Sequence, residues 1–184
     1  MTVGRRQVLS GIAASALLLA RPALAVTSEE DVRALRLYNP HTDESFRDIY
    51  YADGGYLPDA LSRLDVFMRD HHSGSVGLMD PGVHDILWRL QNRYLQVYGR
   101  EVTINIHSAF RTRETNEMLR PEGAAQNSLH MRAKAVDVSV QGLGIYFLAD
   151  QAPRVGAGGC GIYMRSQFAH LDTGPKRSWT QPLW

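Results

Sequence analysis

The residues Ala135-Val-Asp-Val-Ser-Val140 alternate apolar and polar side chains, and a period of two is the mark of a half-buried β-strand. Asp137 and Ser139 then share one face of that strand. The stretch before it, Ser128 to Lys134, forms a loop that can fold His130 back beside Asp137. Further on, Cys160–Met164 and Phe168–Asp172 read as two short strands joined by the turn Arg165-Ser-Gln167. His170 and Asp172, two apart on a strand, point to the same face. A chain carrying these segments is committed to a sheet with one chemically loaded face.

Two imidazoles and one carboxylate, His130, His170 and Asp137, would make a set of three ligands for one zinc ion with the fourth position open to water. That is the arrangement a hydrolytic zinc needs. Spacing alone does not single them out, because His41 and Asp48 repeat the same interval. Context does: Asn39-Pro-His-Thr-Asp-Glu44 reads as a hairpin turn between Leu35–Tyr38 and Arg47–Tyr51. His41 is therefore expected to be structural.

Two long helices are expected. Leu57 to Arg69 starts with a proline and carries Leu61, Leu64, Phe67 and Met68 at helical spacing. His71-His72 follow in what reads as a solvated loop. Asp80 caps the second helix, Pro81 opens it and Gly99 ends it, with Val83, Ile86, Leu87, Leu90, Tyr94 and Val97 on one buried stripe. His84, one residue off that stripe, is expected at its boundary. Val102–Ser108 is the next strand, with His107 near its end, and it feeds Ser108–Asn116, a polar turn that carries Arg111 and opens a short helix. A guanidinium there offers a planar fork for a carboxylate or a developing oxyanion. The run Gly156–Gly159 either lines the cleft or makes a tight turn. Together these segments predict one α+β domain.

Residues 1–25 read as a cleaved export signal: Arg5-Arg6, an uncharged run from Val8 to Ala20, and Ala23-Leu-Ala25 at the cleavage site. Its Gly4-Arg-Arg-Gln-Val-Leu9 start resembles a twin-arginine signal, and a periplasmic location with no stable membrane anchor follows. Residues 26–34 are expected as a mobile lead-in and 35–184 as the folded domain. Removing Arg5, Arg6 and Arg21, and no acid, takes the formal charge from +1 to −2. That balance gives no footprint for nucleic acid. Cys160 is alone, so no internal disulfide forms and a buried thiol is expected.

The ordered set Ser108-Ala-Phe-Arg-Thr112 with Thr115-Asn116, Ser128-x-His130 with Asp137, Gly161-Ile-Tyr163, and Phe168-Ala-His170-x-Asp-Thr-Gly174 resembles the motifs of the M15-type zinc peptidases. Within them it is most similar to the branch of murein endopeptidase K and the domain formerly called DUF882. Leu37–Glu44 and Tyr51–Asp80 resemble that branch too, so the likeness spans nearly the whole mature chain.

The resemblance implies the hedgehog/D-Ala-D-Ala peptidase fold, an antiparallel sheet with helices packed against it. It also implies one zinc ion on His130, Asp137 and His170, and peptidoglycan stem peptides as substrate, cut at a cross-link between two diaminopimelate residues. A monomer is expected, apart from the resemblance. Arg111 would hold the oxyanion or a substrate carboxylate, with Ser128 and Gln126 as hydrogen-bond partners. Where relatives place an acidic base or a histidine shortly before the last ligand, this chain has Gln167 and Phe168. Asp172 is then expected either as the base or as the acceptor that orients His170, with His107 as the alternative base. Two other functions remain open, a non-catalytic muropeptide-binding module and a D-Ala-D-Ala carboxypeptidase.

Overall fold

The computed structural model describes Met1 and residues 32–181. The expected export signal and most of the lead-in lie outside the described residues. Alternating sequences and turn residues build eight strands: β1 (Arg33–Asn39), β2 (Glu44–Ala52), β3 (Gly55–Tyr56), β4 (Ile104–Ser108), β5 (Ala135–Val140), β6 (Gly159–Tyr163), β7 (Phe168–Asp172) and β8 (Arg177–Gln181). Four helices accompany them: α1 (Pro58–Phe67), α2 (Pro81–Tyr98), α3 (Arg113–Met118) and α4 (Ile145–Gln151). Strand β1 begins at Arg33, two residues inside the expected lead-in. β3, β8 and α4 are additions that the sequence patterns did not announce.

All eight strands form one sheet in the order β3-β2-β1-β4-β5-β7-β6-β8. The sheet is mixed rather than antiparallel throughout: β1 pairs β4 in parallel and β6 pairs β8 in parallel. Connectivity explains both. The chain leaves β1 through the β1–β2 hairpin and returns to β4 only after α1 and α2, and such a long crossover permits parallel pairing. In the second case β7 runs back along one side of β6, and β8 then turns once more to lie on its other side.

Alternation divides the sheet into two faces. Leu35, Leu37, Ile104, Ile106, Val136, Val138, Val140 and Leu171 enter the core, where the α2 residues Val83, Ile86, Leu87 and Leu90 and the α1 residue Leu64 cover them. Helix α2 has the expected ends: the Asp80 carboxylate accepts from the Gly82 N–H at 2.9 Å, and Gly99 adopts a left-handed conformation at φ 67°.

Two residues on this helix depart from expectation. Val97 is half exposed because α2 outruns the sheet beneath its last turn, and His84 is fully buried rather than at a boundary. The second departure arises because the β2–β3 ribbon closes over the flank of α2. Tyr50 and Tyr56 donate their hydroxyls to Asp85 at 2.9 and 3.1 Å, Arg33 pairs with the same carboxylate at 2.7 Å, and the Tyr50 ring meets His84 edge-on at 5.9 Å.

Three glycines in and just before β6 are packed so closely that no side chain fits in their place. A Cβ on Gly158 would lie 1.7 Å from the Gly174 carbonyl oxygen, one on Gly159 would lie 2.2 Å from Asp172 Oδ2, and one on Gly161 would lie 2.4 Å from the Trp179 ring. Main-chain bonds seal this seam, from Gly158 N to Asp172 O at 2.8 Å and from Arg177 N to Gly158 O at 2.9 Å. Gly156–Gly159 thus makes a tight connection and does not line a cleft. Cys160 is buried.

Candidate metal centre and its cavity

The polar face of the sheet carries Asn105 and His107 on β4, Asp137 and Ser139 on β5, and His170 and Asp172 on β7. Register brings them together, since Ser108 pairs with Asp137 and Asp137 with His170. The β4–β5 ladder is irregular between Ile106 and Ser108, which makes His107 an extra residue opposite β5. A bulge of this kind re-aims its side chain, and the His107 ring nitrogen Nε2 meets Ser139 Oγ at 2.7 Å.

His130 reaches the same point from a short 3-10 turn, Leu129–Arg132. Ser128 caps that turn, its hydroxyl accepting from the His130 N–H at 3.3 Å, and Ala133 closes it with φ 54°. The loop folds His130 beside Asp137 as the sequence suggests.

His130 Nδ1 lies 2.6 Å from the Ala109 carbonyl oxygen, which only accepts, so Nδ1 carries the proton and Nε2 presents a lone pair. His170 stands between two carboxylates, with Nε2 3.0 Å from Asp172 Oδ2 and Nδ1 3.0 Å from Asp137 Oδ1; with Nε2 donating to Asp172, Nδ1 is the nitrogen that can offer a lone pair to a cation. The two lone pairs are 3.1 Å apart, and each faces Asp137 Oδ1, at 3.2 Å from His130 and 3.0 Å from His170. Lone pairs that converge in this way repel unless a proton or a metal cation sits among them. These residues, all buried, could therefore hold a metal ion, and two nitrogens plus a carboxylate oxygen suit a divalent metal such as zinc.

The charge balance agrees. Burial works against the ionised Asp137 carboxyl, but His130, His170 and Arg111 hold its pKa well below the usual range. Burial pushes His130 down. It would also push His170 down, yet the carboxylates of Asp137 and Asp172 on either side raise it, because positive charge is wanted there.

Each candidate ligand is fixed from behind. Ala109 holds His130, Asp172 holds His170, and Arg111 holds Asp137 through Nη2 while its Nε donates to Ser108 Oγ at 2.6 Å. Arg111 is thus engaged by a carboxylate of the protein itself. Asp172 is fully buried behind His170 and does not itself line the cavity. Burial would raise its pKa, but hydrogen bonds from His170, Arg177 and the Gly174 and Gly159 N–H groups hold it far below the ordinary value. Among the expected roles for Asp172, this is the geometry of an orienting acceptor.

A cavity of about 1110 Å³ opens over the centre. It is lined by His130, Asp137 and His170 and also by His107, Ser108, Arg111 and Ser128. Gln126 is exposed and outside the lining, where Asn127 stands instead. Gln167 turns away at φ 55°, its amide donating to the Met164 carbonyl.

The surprise is on the far wall. His41 and His71 stack there with ring centres 4.3 Å apart, His72 lies 4.2 Å from His71, and His41 meets His107 edge-on at 6.3 Å. His41 was expected in a structural turn and His71-His72 in a solvated loop, but all three line the cavity. Asp70 arranges this: its carboxylate accepts from the N–H groups of His72 at 3.0 Å and Thr112 at 2.9 Å, tying the loop after α1 to the Arg111 turn. Tyr163, Phe168 and Trp179 complete an aromatic side to the cavity. The sequence signal for the three histidines was weak, since each lies in a short polar turn, and Trp179 lies on β8, which no pattern announced.

The sequence between residues 27 and 179 matches the family model described as Peptidoglycan L,D-endopeptidase MepK. The Peptidoglycan L,D-endopeptidase MepK of Escherichia coli is 36% identical over 179 residues, covering 95% of this chain and 96% of its own. The protein of the same name from Shigella flexneri gives the same values. The Probable peptidoglycan L,D-endopeptidase MepK of Haemophilus influenzae is 32% identical over 173 residues, covering 93% of this chain and 91% of its own.

Proposed function

Because the chain belongs to the peptidoglycan L,D-endopeptidase MepK family and is a peptidase acting on peptidoglycan, we propose that it hydrolyses peptide cross-links with one zinc ion held by His130, Asp137 and His170. The observation that carries this reading is the convergence of one possible ligand atom from each of His130, Asp137 and His170 at the wall of a large cavity. A zinc ion bound there would supply Lewis-acid polarisation of the scissile carbonyl and a lowered pKa for attacking water.

The residues of the chain do the rest. The cavity admits the stem peptide. Arg111 keeps Asp137 in place and turns its remaining donor edge towards the cavity, where charge develops on the reacting carbonyl oxygen. Asp172 fixes the tautomer of His170. His107 is the base in this reading: it lines the cavity, and burial together with the neighbouring His41 lowers its pKa, so its ring is neutral and accepts a proton. Ser128 acts by capping the turn that carries His130. Gln126, outside the lining, makes at most a peripheral contact.

The family likeness favours an L,D-cross-link over a terminal D-Ala. We further propose that residues 1–25 are a twin-arginine export signal cleaved to release the domain into the periplasm as a monomer. Among the described residues no helix is long and apolar enough to cross a membrane.

Digestion of purified peptidoglycan, with mass analysis of the muropeptides, tests the function. Cross-linked dimers should disappear in the presence of zinc and persist with chelator, and His107→Gln should retain zinc while slowing turnover by about 100-fold or more. Unchanged dimers with the zinc-loaded, folded protein would instead indicate a muropeptide-binding module.

A further inference from the structure

The cavity is far more cationic than the protein around it. Lys+Arg 20 and Asp+Glu 19 nearly cancel over the whole chain. Yet Arg111, Arg120, Arg165 and Arg177 all line the cavity, and among the described residues only Asp137 and Glu122 oppose them. Two of these arginines are already committed. Arg111 pairs with Asp137, and Arg177 grips both oxygens of Asp172. Arg120 and Arg165 make no side-chain ion pair or hydrogen bond among the described residues, and both are exposed at the cavity edge.

The segments that carry them meet at Gln181. Arg120 lies in the turn after α3, and its carbonyl accepts from the Gly123 N–H at 3.0 Å. Arg165 lies in the β6–β7 turn beside Met164. Gln181, at the end of β8, joins the two segments. Its side-chain Nε2 sits 3.0 Å from where a Cβ on Gly123 would be, and its carbonyl accepts from the Met164 N–H at 3.4 Å. Two unpaired guanidiniums therefore share one rim of a cavity whose walls raise the local potential.

We propose that Arg120 and Arg165 form a specificity subsite for free carboxylate groups of the stem peptide, separate from the metal centre. This rests on the peptidase reading above. A guanidinium fork binds a carboxylate through paired, charge-assisted hydrogen bonds, and an amide in its place loses the charge and one acceptor. Since Arg111 is held by Asp137, these two side chains are what the rim offers an incoming carboxylate. The subsite selects which peptides are held and leaves the rate of the chemical step alone.

The test uses the zinc-loaded protein, its Arg120→Gln, Arg165→Gln and doubly substituted variants, and the double lysine variant. Three cross-linked stem-peptide dimers are compared: one with all carboxylates free, one amidated on the diaminopimelate carboxylates, and one amidated at the terminal D-Ala. The double glutamine variant should raise KM for the free dimer about tenfold with kcat little changed, and the lysine variant should recover part of the loss. Wild type should bind one of the amidated dimers as weakly as the double variant binds the free one, and which dimer it is names the carboxylate.

Equal KM values for wild type and double variant on the free dimer would overturn the subsite. Calorimetric Kd values for uncut monomeric stem tripeptides and tetrapeptides, free and amidated, decide the matter without turnover. A wild-type preference for the free form that the double variant lacks upholds the proposal even if no bond is cut. Absence of that preference overturns it even if hydrolysis proceeds normally.

Discussion

Oδ1 of Asp172 receives the N–H groups of Gly159 and Gly174, both at 2.8 Å, and Oδ2 receives His170 and Arg177. Every direction from which this carboxylate could take a proton is already filled, so its influence reaches the cavity only through the His170 ring. Asp172→Asn should therefore weaken zinc binding by about 10–100-fold. The kcat at saturating zinc should stay near the wild-type value, as titration with a metal indicator and turnover assays would show. A lost kcat with unchanged zinc affinity would restore Asp172 as the base. His130, Asp137 and His170 were legible in the sequence because each is placed by local structure: a capped turn feeding a strand, and two strand residues sharing a face. His41 and His71 were not, because each is unremarkable in its own turn and they meet only through Asp70 and tertiary packing.

Helix α2 shows the same division at the scale of an element. Its caps and its apolar stripe could be read directly, and they fix the face that covers the sheet. The burial of its other flank depends on the β2–β3 ribbon, which no periodicity within α2 reports. His84 pays for that burial. Among the described residues neither of its ring nitrogens has a hydrogen-bond partner, and burial, outweighing the opposing pull of Asp85 and Asp80, lowers its pKa to about 4.

The sign of the consequence follows from proton counting. Above the unfolded value of about 6.5 the ring is neutral in both states. As pH falls towards about 4 the unfolded chain binds a proton that the folded protein refuses, and stability declines by up to about 1.4 kcal/mol per pH unit. His84→Leu should remove this slope and, by replacing an unsatisfied polar group with an apolar one, raise Tm at pH 7. Thermal melts between pH 7 and 5 that are as steep as those of wild type would show that His84 does not titrate in this way. Strand β8 and helix α4 escaped notice for the opposite reason: β8 is polar and largely exposed, and α4 is short, so neither carries a strong pattern.

The whole molecule divides its tasks between the two faces of one mixed sheet, with helices and core on one side and the candidate metal centre and cavity on the other. The α+β class was legible, whereas the two parallel pairings were not, since they depend on how distant crossovers return to the sheet. Because the three candidate ligands come from the turn before β5, from β5 and from β7, an ion bound there ties together segments that meet only when the sheet is assembled. Chelation should accordingly lower Tm, on the order of 10 °C at saturating zinc, reversibly on adding zinc back. An unchanged melt would mean that the sheet closes without the metal's help. The glycine seam along β6 belongs to this scale too. Gly158, Gly159 and Gly161 touch no substrate, yet any side chain there would strike the Gly174 carbonyl, the Asp172 carboxylate or Trp179. In a map of mutational tolerance built from activity alone, these positions would be as unforgiving as the metal ligands. The apparent footprint of the active site would then extend through the sheet to residues whose only message is that nothing else fits.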